Sequence, residues 1–283
     1  MLRMRTLSSM CINCGKITVN KRERVTKAVD PEWRALHRAA DLIRPALRVG
    51  LVTGVQRIKS NVKVTLLEEM LLSGRVGYYG SVIDWNKFDE LLKSELGDTL
   101  MNGIERGAMA SKSFFRETVN RVFPRLRDVD IPFSMENAGI ASYVSNRTLW
   151  LATKIEQESM KAVESVVKLS FNNGMPYRDI ARTIRDSIGL NEKQGIALAN
   201  YRNGLIEQGY SDIKVQQFSG KYADELLDYR AELIARTETM GAVNEGQIQI
   251  WEQAREAGYI PDTAKKTWVV TPDDALCEDW SLS

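Results

Sequence analysis

Histidine is almost missing from this chain: His37 is the one example in 283 residues. Acid–base enzymes and imidazole-rich metal centres usually draw on several, so this scarcity argues against a hydrolase triad or a His-rich zinc site. Cysteine is scarce too. The three present, Cys11, Cys14 and Cys277, are too few and odd in number for a disulfide framework, which fits a reducing compartment. Uninterrupted apolar runs are only a few residues long, well short of the roughly 20 that a bilayer-crossing helix needs, so no membrane partner is expected. The opening Met1-Leu-Arg-Met-Arg has no apolar signal core, and a cytoplasmic site of synthesis follows as the expectation. A phosphate-cradling loop is lacking as well: Gly74-Arg-Val-Gly77-Tyr-Tyr-Gly80 has no lysine–serine ending and no strand-then-helix setting.

What the chain does contain is 43% hydrophobic and 27% charged residues, enough apolar side chain for one or two globular domains. The net charge of +2 hides a polarity along the sequence. Residues 1–60 carry 13 Lys and Arg against 4 Asp and Glu, whereas from residue 221 onward 6 basic residues face 13 acidic ones. A basic leader on an acidic body suits contact with polyanion at one end and protein at the other; the alternative is a solvated leader with no ligand.

Prolines are few, seven in all, and the stretches between them are rich in helix formers. Asp30-Pro31 opens a helix with apolar residues at Leu36, Ala39, Ala40, Ile43 and Leu47, kinked or ended near Pro45. Asp84-Trp85 opens another, with Phe88, Leu91, Leu92, Leu96, Leu100 and Ile104 on one face. Phe123-Pro124 and Ile131-Pro132 bracket a break. From a cap at Ser134 a long helix reaches Phe171, and a short one from Pro176 places Ile180, Ile184 and Ile188 in steps of four before Gly189. Asn191 and Gln194 form a capping box for a helix closed by Gly209. The last long helix is expected from about Tyr222 to Ala257, its inward stripe reading Leu226, Leu233, Thr237, Met240, Asn244, Ile248 and Trp251. Lys265-Lys-Thr-Trp-Val-Val-Thr271 then alternates and is β-branched, a strand whose partner is expected in Ile17-Thr-Val19, Val62-Lys-Val64, another subunit or sequence past Ser283.

The expected fold is therefore mainly α, an elongated multi-helix bundle with a small β element near the C-terminus. It divides into a basic arm over 1–30, with disorder an open alternative, a helical region over 31–131 and a second over 132–283. The arm's Lys16, Lys21, Arg22, Arg24 and Lys27 lie within twelve residues with only Glu23 opposing them, a cluster suited to sequence-independent contact with DNA phosphates. Cys11 and Cys14 have the spacing of half a zinc ribbon. A full site needs four ligands, and only Cys277 and His37 remain at separations no standard spacing explains, so no cofactor is expected. Asp273, Asp274, Glu278 and Asp279 put four carboxylates in seven residues; a divalent cation and a turn are both compatible with them.

The C-terminal third carries a resemblance. Tyr229-Arg-Ala-Glu-Leu-Ile-Ala-Arg-Thr-Glu-Thr239, Asn244-Glu-Gly246, Trp251 and Lys266-Thr-Trp268-Val-Val-Thr-Pro-Asp-Asp274-Ala-Leu-Cys277 together resemble the signature of the phage head morphogenesis family, the Mu F-like minor head proteins. The upstream Ile188-Gly-Leu190-Asn-Glu-Lys-Gln194 and Ala197-Leu-Ala-Asn-Tyr-Arg202 are similar to that family's middle helices, so the likeness spans roughly residues 134–280. It implies a minor capsid protein of the virion interior, associated with the portal protein and with prohead capsid or scaffolding proteins during assembly in the host cytoplasm, and in some relatives touching double-stranded DNA. It implies no catalytic activity. Arg236, Thr237, Glu238, Asn244, Trp268, Asp274 and Cys277 match its recurring positions, in structural or partner-binding roles. Where members place a second cysteine this chain has Trp280, which implies a shortened C-terminal end. The alternative function is a metal-dependent nuclease or a toxin- or transferase-linked phage protein.

Overall fold

A computed structural model describes residues 31–75, 82–122, 133–260 and 263 of the chain. The body, Pro31–Ile260, is one packed unit. It is built from seven helices in order: α1 (Pro31–Asn61), α2 (Val64–Leu72), α3 (Trp85–Val122), α4 (Ala138–Asn172), α5 (Tyr177–Ser187), α6 (Glu192–Glu207) and α7 (Asp212–Glu256). No strand occurs among the described residues, and the expected strand at 265–271 lies outside them, as does Ile17-Thr-Val19. Val62-Lys-Val64 forms no strand: Val62 and Lys63 are the two-residue break between α1 and α2, with Lys63 extended as the N-cap, and Val64 already opens α2. No described helix is long and apolar enough to cross a membrane.

Of the two expectations at Pro45, a kink or an end, the second is corrected: α1 runs on through Pro45, which is exposed. An interior proline costs about 3 kcal/mol through its lost hydrogen bond and steric clash. Beyond it, however, Leu47, Leu51, Val55 and Ile58 are all at most 3% exposed. At about 1.5–3 kcal/mol per buried side chain, the four supply roughly 6–12 kcal/mol, which outweighs the defect.

Local signals place the other helices. Asp84 Oδ1 accepts the Lys87 N–H at 3.0 Å at the entrance to α3, whose Leu92, Leu96, Leu100 and Ile104 are buried as their spacing predicts. Asn137, not Ser134, caps α4, accepting the Gly139 N–H at 2.7 Å. The Ser134 hydroxyl oxygen instead accepts from Glu136 N–H one turn too early to start a helix. The α6 capping box forms as read: Asn191 Oδ1 accepts from Gln194 N–H and Gln194 Oε1 accepts from Asn191 N–H. Gly189, between α5 and α6, sits at φ +82°, where a side chain would be strained, and its N–H reaches Ser159 Oγ on α4 at 3.1 Å.

Three long helices, α1, α3 and α7, pack mutually; α4 lies against α3 and α6, and α5 joins α2 to α4. Helices from both sides of the 131/132 break therefore share one core. Small residues let α3 and α7 approach closely. A Cβ on Gly107 of α3 would fall 2.0 Å from the Val243 carbonyl oxygen, and one on Gly246 of α7 would fall 1.9 Å from that of Ile104.

Candidate functional site

Helix α7 carries the stretch that bears the family resemblance, and its orientation differs from the sequence expectation. It begins at Asp212, ten residues before Tyr222. Its buried face is made of Ala223, Leu227, Ala231, Ala235, Glu238, Thr239, Ala242, Val243, Gly246 and Ile250. Leu233, Thr237 and Asn244, assigned to an inward stripe from their spacing, face solvent instead. The physical reason is size. Alanine and glycine let α1 and α3 close around α7, so the largest apolar residues do not mark the interior.

The resembling residues on α7 divide between the two sides. Glu238 is 3% exposed and receives a two-pronged ion pair from Arg147 of α4, Nε at 2.6 Å and Nη2 at 2.7 Å. That hydrogen bonding raises the Arg147 pKa above its ordinary value, with burial opposing. The same guanidinium lies 4.3 Å from the centre of the Trp150 ring. Arg236, Thr237 and Asn244 are exposed, on the side of α7 that also presents Tyr229, 63% exposed, and Leu233, 48% exposed. This outward face is the candidate contact surface.

A second polar assembly lies under the junction of α5, α6 and α7. Arg202 is wholly buried. Its Nη2 donates to Asp186 Oδ2 at 3.0 Å, Gln216 Oε1 at 3.0 Å and Ser219 Oγ at 2.7 Å, while Nη1 reaches Asp179 Oδ1 at 3.4 Å. Burial pushes the Arg202 pKa down, against the pull of Asp186 and Asp179. Arg182 and Arg185 complete the network from the outer side, on Asp179 and Asp186 respectively. Farther along α7, Arg230 donates to Glu158 Oε2 at 2.5 Å and to the Gly189 carbonyl, tying the α5–α6 corner to α4 and α7.

Next to the Arg202 network, α1, α5 and α7 frame a cleft of about 250 Å³ lined by Lys59, Arg185, Asp186, Gln216 and Asp224 among others. Nothing in the sequence singled out these residues. The one available signal was the recurrence of polar side chains, Asp179, Thr183 and Asp186, between the isoleucines of a short helix, all of which prove to be buried.

The remaining expected site residues lie outside the described residues: Lys16, Lys21, Arg22, Arg24 and Lys27 of the arm, Cys11, Cys14 and Cys277, and Trp268 and Asp274. His37 is described, and its ring packs on Trp33 with centroids 3.7 Å apart. Among the described residues no cluster of three or more His, Cys, Asp or Glu has the geometry to hold a metal ion. Comparison with known proteins gives no match to a family model, to a curated protein or to a solved structure.

Proposed function

We propose that this protein is a minor component of a phage head, which docks on the portal protein and the assembling prohead through its helical body and performs no catalysis. In this reading the basic arm, with Lys16, Lys21, Arg22, Arg24 and Lys27, contacts packaged double-stranded DNA without reading its sequence. The observation that carries the proposal is the division of the resembling stretch on α7. Glu238 is spent on holding α4, whereas Arg236, Thr237 and Asn244 are outward beside exposed Tyr229 and Leu233. Exposed aromatic and arginine side chains in one patch suit a protein contact, where such residues supply most of the binding energy.

Co-expression with a cognate portal protein tests the docking. Retention of the complex at low and moderate salt is expected, with loss of capture in a Tyr229→Ser, Leu233→Ser, Arg236→Ala variant. That variant should keep its stability within about 0.5 kcal/mol, since surface substitutions rarely cost more. Failure of the native protein to co-purify refutes docking. For the arm, duplex affinity should fall steeply with salt and disappear when Lys21, Arg22 and Arg24 become alanine. Magnesium-dependent release of nucleotides from DNA by the purified protein would overturn the reading in favour of a nuclease.

A further inference from the structure

The cleft between α1, α5 and α7 is lined by a lysine whose ammonium is left to solvent. Lys59 lines it, is only 7% exposed, and its ammonium forms no hydrogen bond or ion pair with any described residue. A lysine stem is long and flexible enough to stay buried while its ammonium reaches the water of the cleft. Burial pushes the Lys59 pKa down, with Asp186 and Asp224 pulling the other way from beyond ion-pair distance and Arg185 adding to the fall.

The cleft wall itself holds Lys59 and Arg185 against Asp186 and Asp224, and the adjoining network adds two cations and one carboxylate. Arg182, Arg185, Arg202 and Lys59 are four cations, and Asp179, Asp186 and Asp224 are three carboxylates. The carboxylates are already engaged. Asp186 accepts from Arg185, Arg202 and Gln216, Asp179 pairs with Arg182 and Arg202, and Asp224 Oδ1 accepts from Gln56 Nε2 at 2.8 Å. Arg185 spends Nε and Nη2 on Asp186, and its Nη1 has no hydrogen-bond partner among the described residues. Two cationic donors thus line one small cleft, one contributed by α1 and the other by α5. Its volume of about 250 Å³ lies below the roughly 300–1,000 Å³ of sites for drug-sized ligands, so the ligand must be small. Asp186 and Asp224 in the wall disfavour an extended polyanion such as a nucleic-acid backbone.

We propose that this cleft is a binding site for a small phosphate-type oxyanion, held between the Lys59 ammonium and Nη1 of Arg185. The site is separate from the outer face of α7 and does not depend on the docking function. The full chain is titrated with inorganic phosphate, against chloride at matched ionic strength, by calorimetry and thermal unfolding. Saturable binding and a saturable rise in Tm are expected for the native protein. Lys59→Met, which keeps the apolar stem, and Arg185→Gln, on a side chain 31% exposed, should each weaken phosphate binding at least tenfold. Having two variants keeps the test usable if one fails to fold. An arm with AMP distinguishes the source of the group: tighter binding than inorganic phosphate identifies a phosphomonoester, and exclusion of AMP identifies the free ion, either upholding the site. Absence of saturable phosphate binding by the native protein, or equal affinity in the native protein and both variants, overturns it.

Discussion

Replacing Arg202 by methionine tests whether the buried charge network holds the C-terminal helices together. Methionine keeps an unbranched, adaptable side chain in the same space, so the change removes charge and hydrogen bonds more than volume. It leaves Asp179, 8% exposed, and Asp186, 6% exposed, without their innermost partner. Breaking a buried ion pair by deleting one member costs about 3–5 kcal/mol. Each carboxylate retains an outer arginine, Arg182 at 3.5 Å and Arg185 at 2.9 Å. Arg202 Nε, moreover, is itself buried without a partner, a penalty the substitution removes. The lower end, about 3 kcal/mol, is therefore expected. For a body of this size about 2–4 °C accompanies each kcal/mol, so Tm should fall by roughly 6–12 °C, measured by circular dichroism with helix content unchanged before the transition. The discriminating experiment is the double variant with Asp186→Asn. Because that change removes a stranded carboxylate, the combined loss should be smaller than the two single losses added by about 1–2 kcal/mol. A loss under about 1 kcal/mol for Arg202→Met, or strict additivity with Asp186→Asn, would refute a coupled network.

The Arg147–Glu238 pair should be asymmetric. Arg147→Met strands a buried carboxylate and should cost about 3 kcal/mol, whereas Glu238→Gln leaves an arginine that is 33% exposed and able to turn to water, and should cost much less; urea unfolding of both variants checks the order. Gly107→Ala and Gly246→Ala should each cost about 3 kcal/mol, because a methyl group there collides with backbone oxygen of the facing helix and forces α3 and α7 apart. An Ala substitution at Gly97, where nothing lies within 4 Å of the added Cβ, is the matched control and should be neutral or slightly stabilising. Lys59 gives a pH signature set first by its burial, with Asp186 and Asp224 opposing and Arg185 adding to it. Its amine binds a proton less readily in the folded than in the unfolded chain. The unfolded state therefore holds more protons in the window between the lowered value and the ordinary lysine value of about 10.4, and stability gains with rising pH there. Lys59→Met should be the more stable protein at neutral pH in phosphate-free buffer, with the gap closing as pH rises through that window; a gap independent of pH would refute the burial effect.

The contrast between α5 and α7 shows which parts of this fold can be read from residues in order. In α5 the step-of-four isoleucines identify a buried side correctly, and Ile180 and Ile184 are fully buried, because residues four apart stay on one side of a helix this short. Caps at Asp84 and Asn191 were legible for a related reason: their hydrogen bonds close within three residues and depend on nothing distant. Helix α7 violates the one-sided assumption. Over 45 residues it packs on α1, α3, α5 and α6 along different sides, so its buried positions turn around the axis and no fixed stripe of large apolar side chains exists. Its interior is instead recorded in alanines and glycines, which any periodicity weighted by hydrophobic bulk discounts. The polar interior was hidden by a different circumstance. Arginine and aspartate are ordinarily surface residues, and Arg202 becomes a core residue only because α5 and α7 bring Asp179, Asp186 and Ser219 to it across 23, 16 and 17 positions of sequence. Lys59 is the extreme case, since its neighbours Asp186 and Asp224 lie more than a hundred residues away along the chain. A charged side chain that no local pattern explains, held inside by tertiary contacts and lacking a protein partner, is therefore where an unrecorded ligand should first be sought.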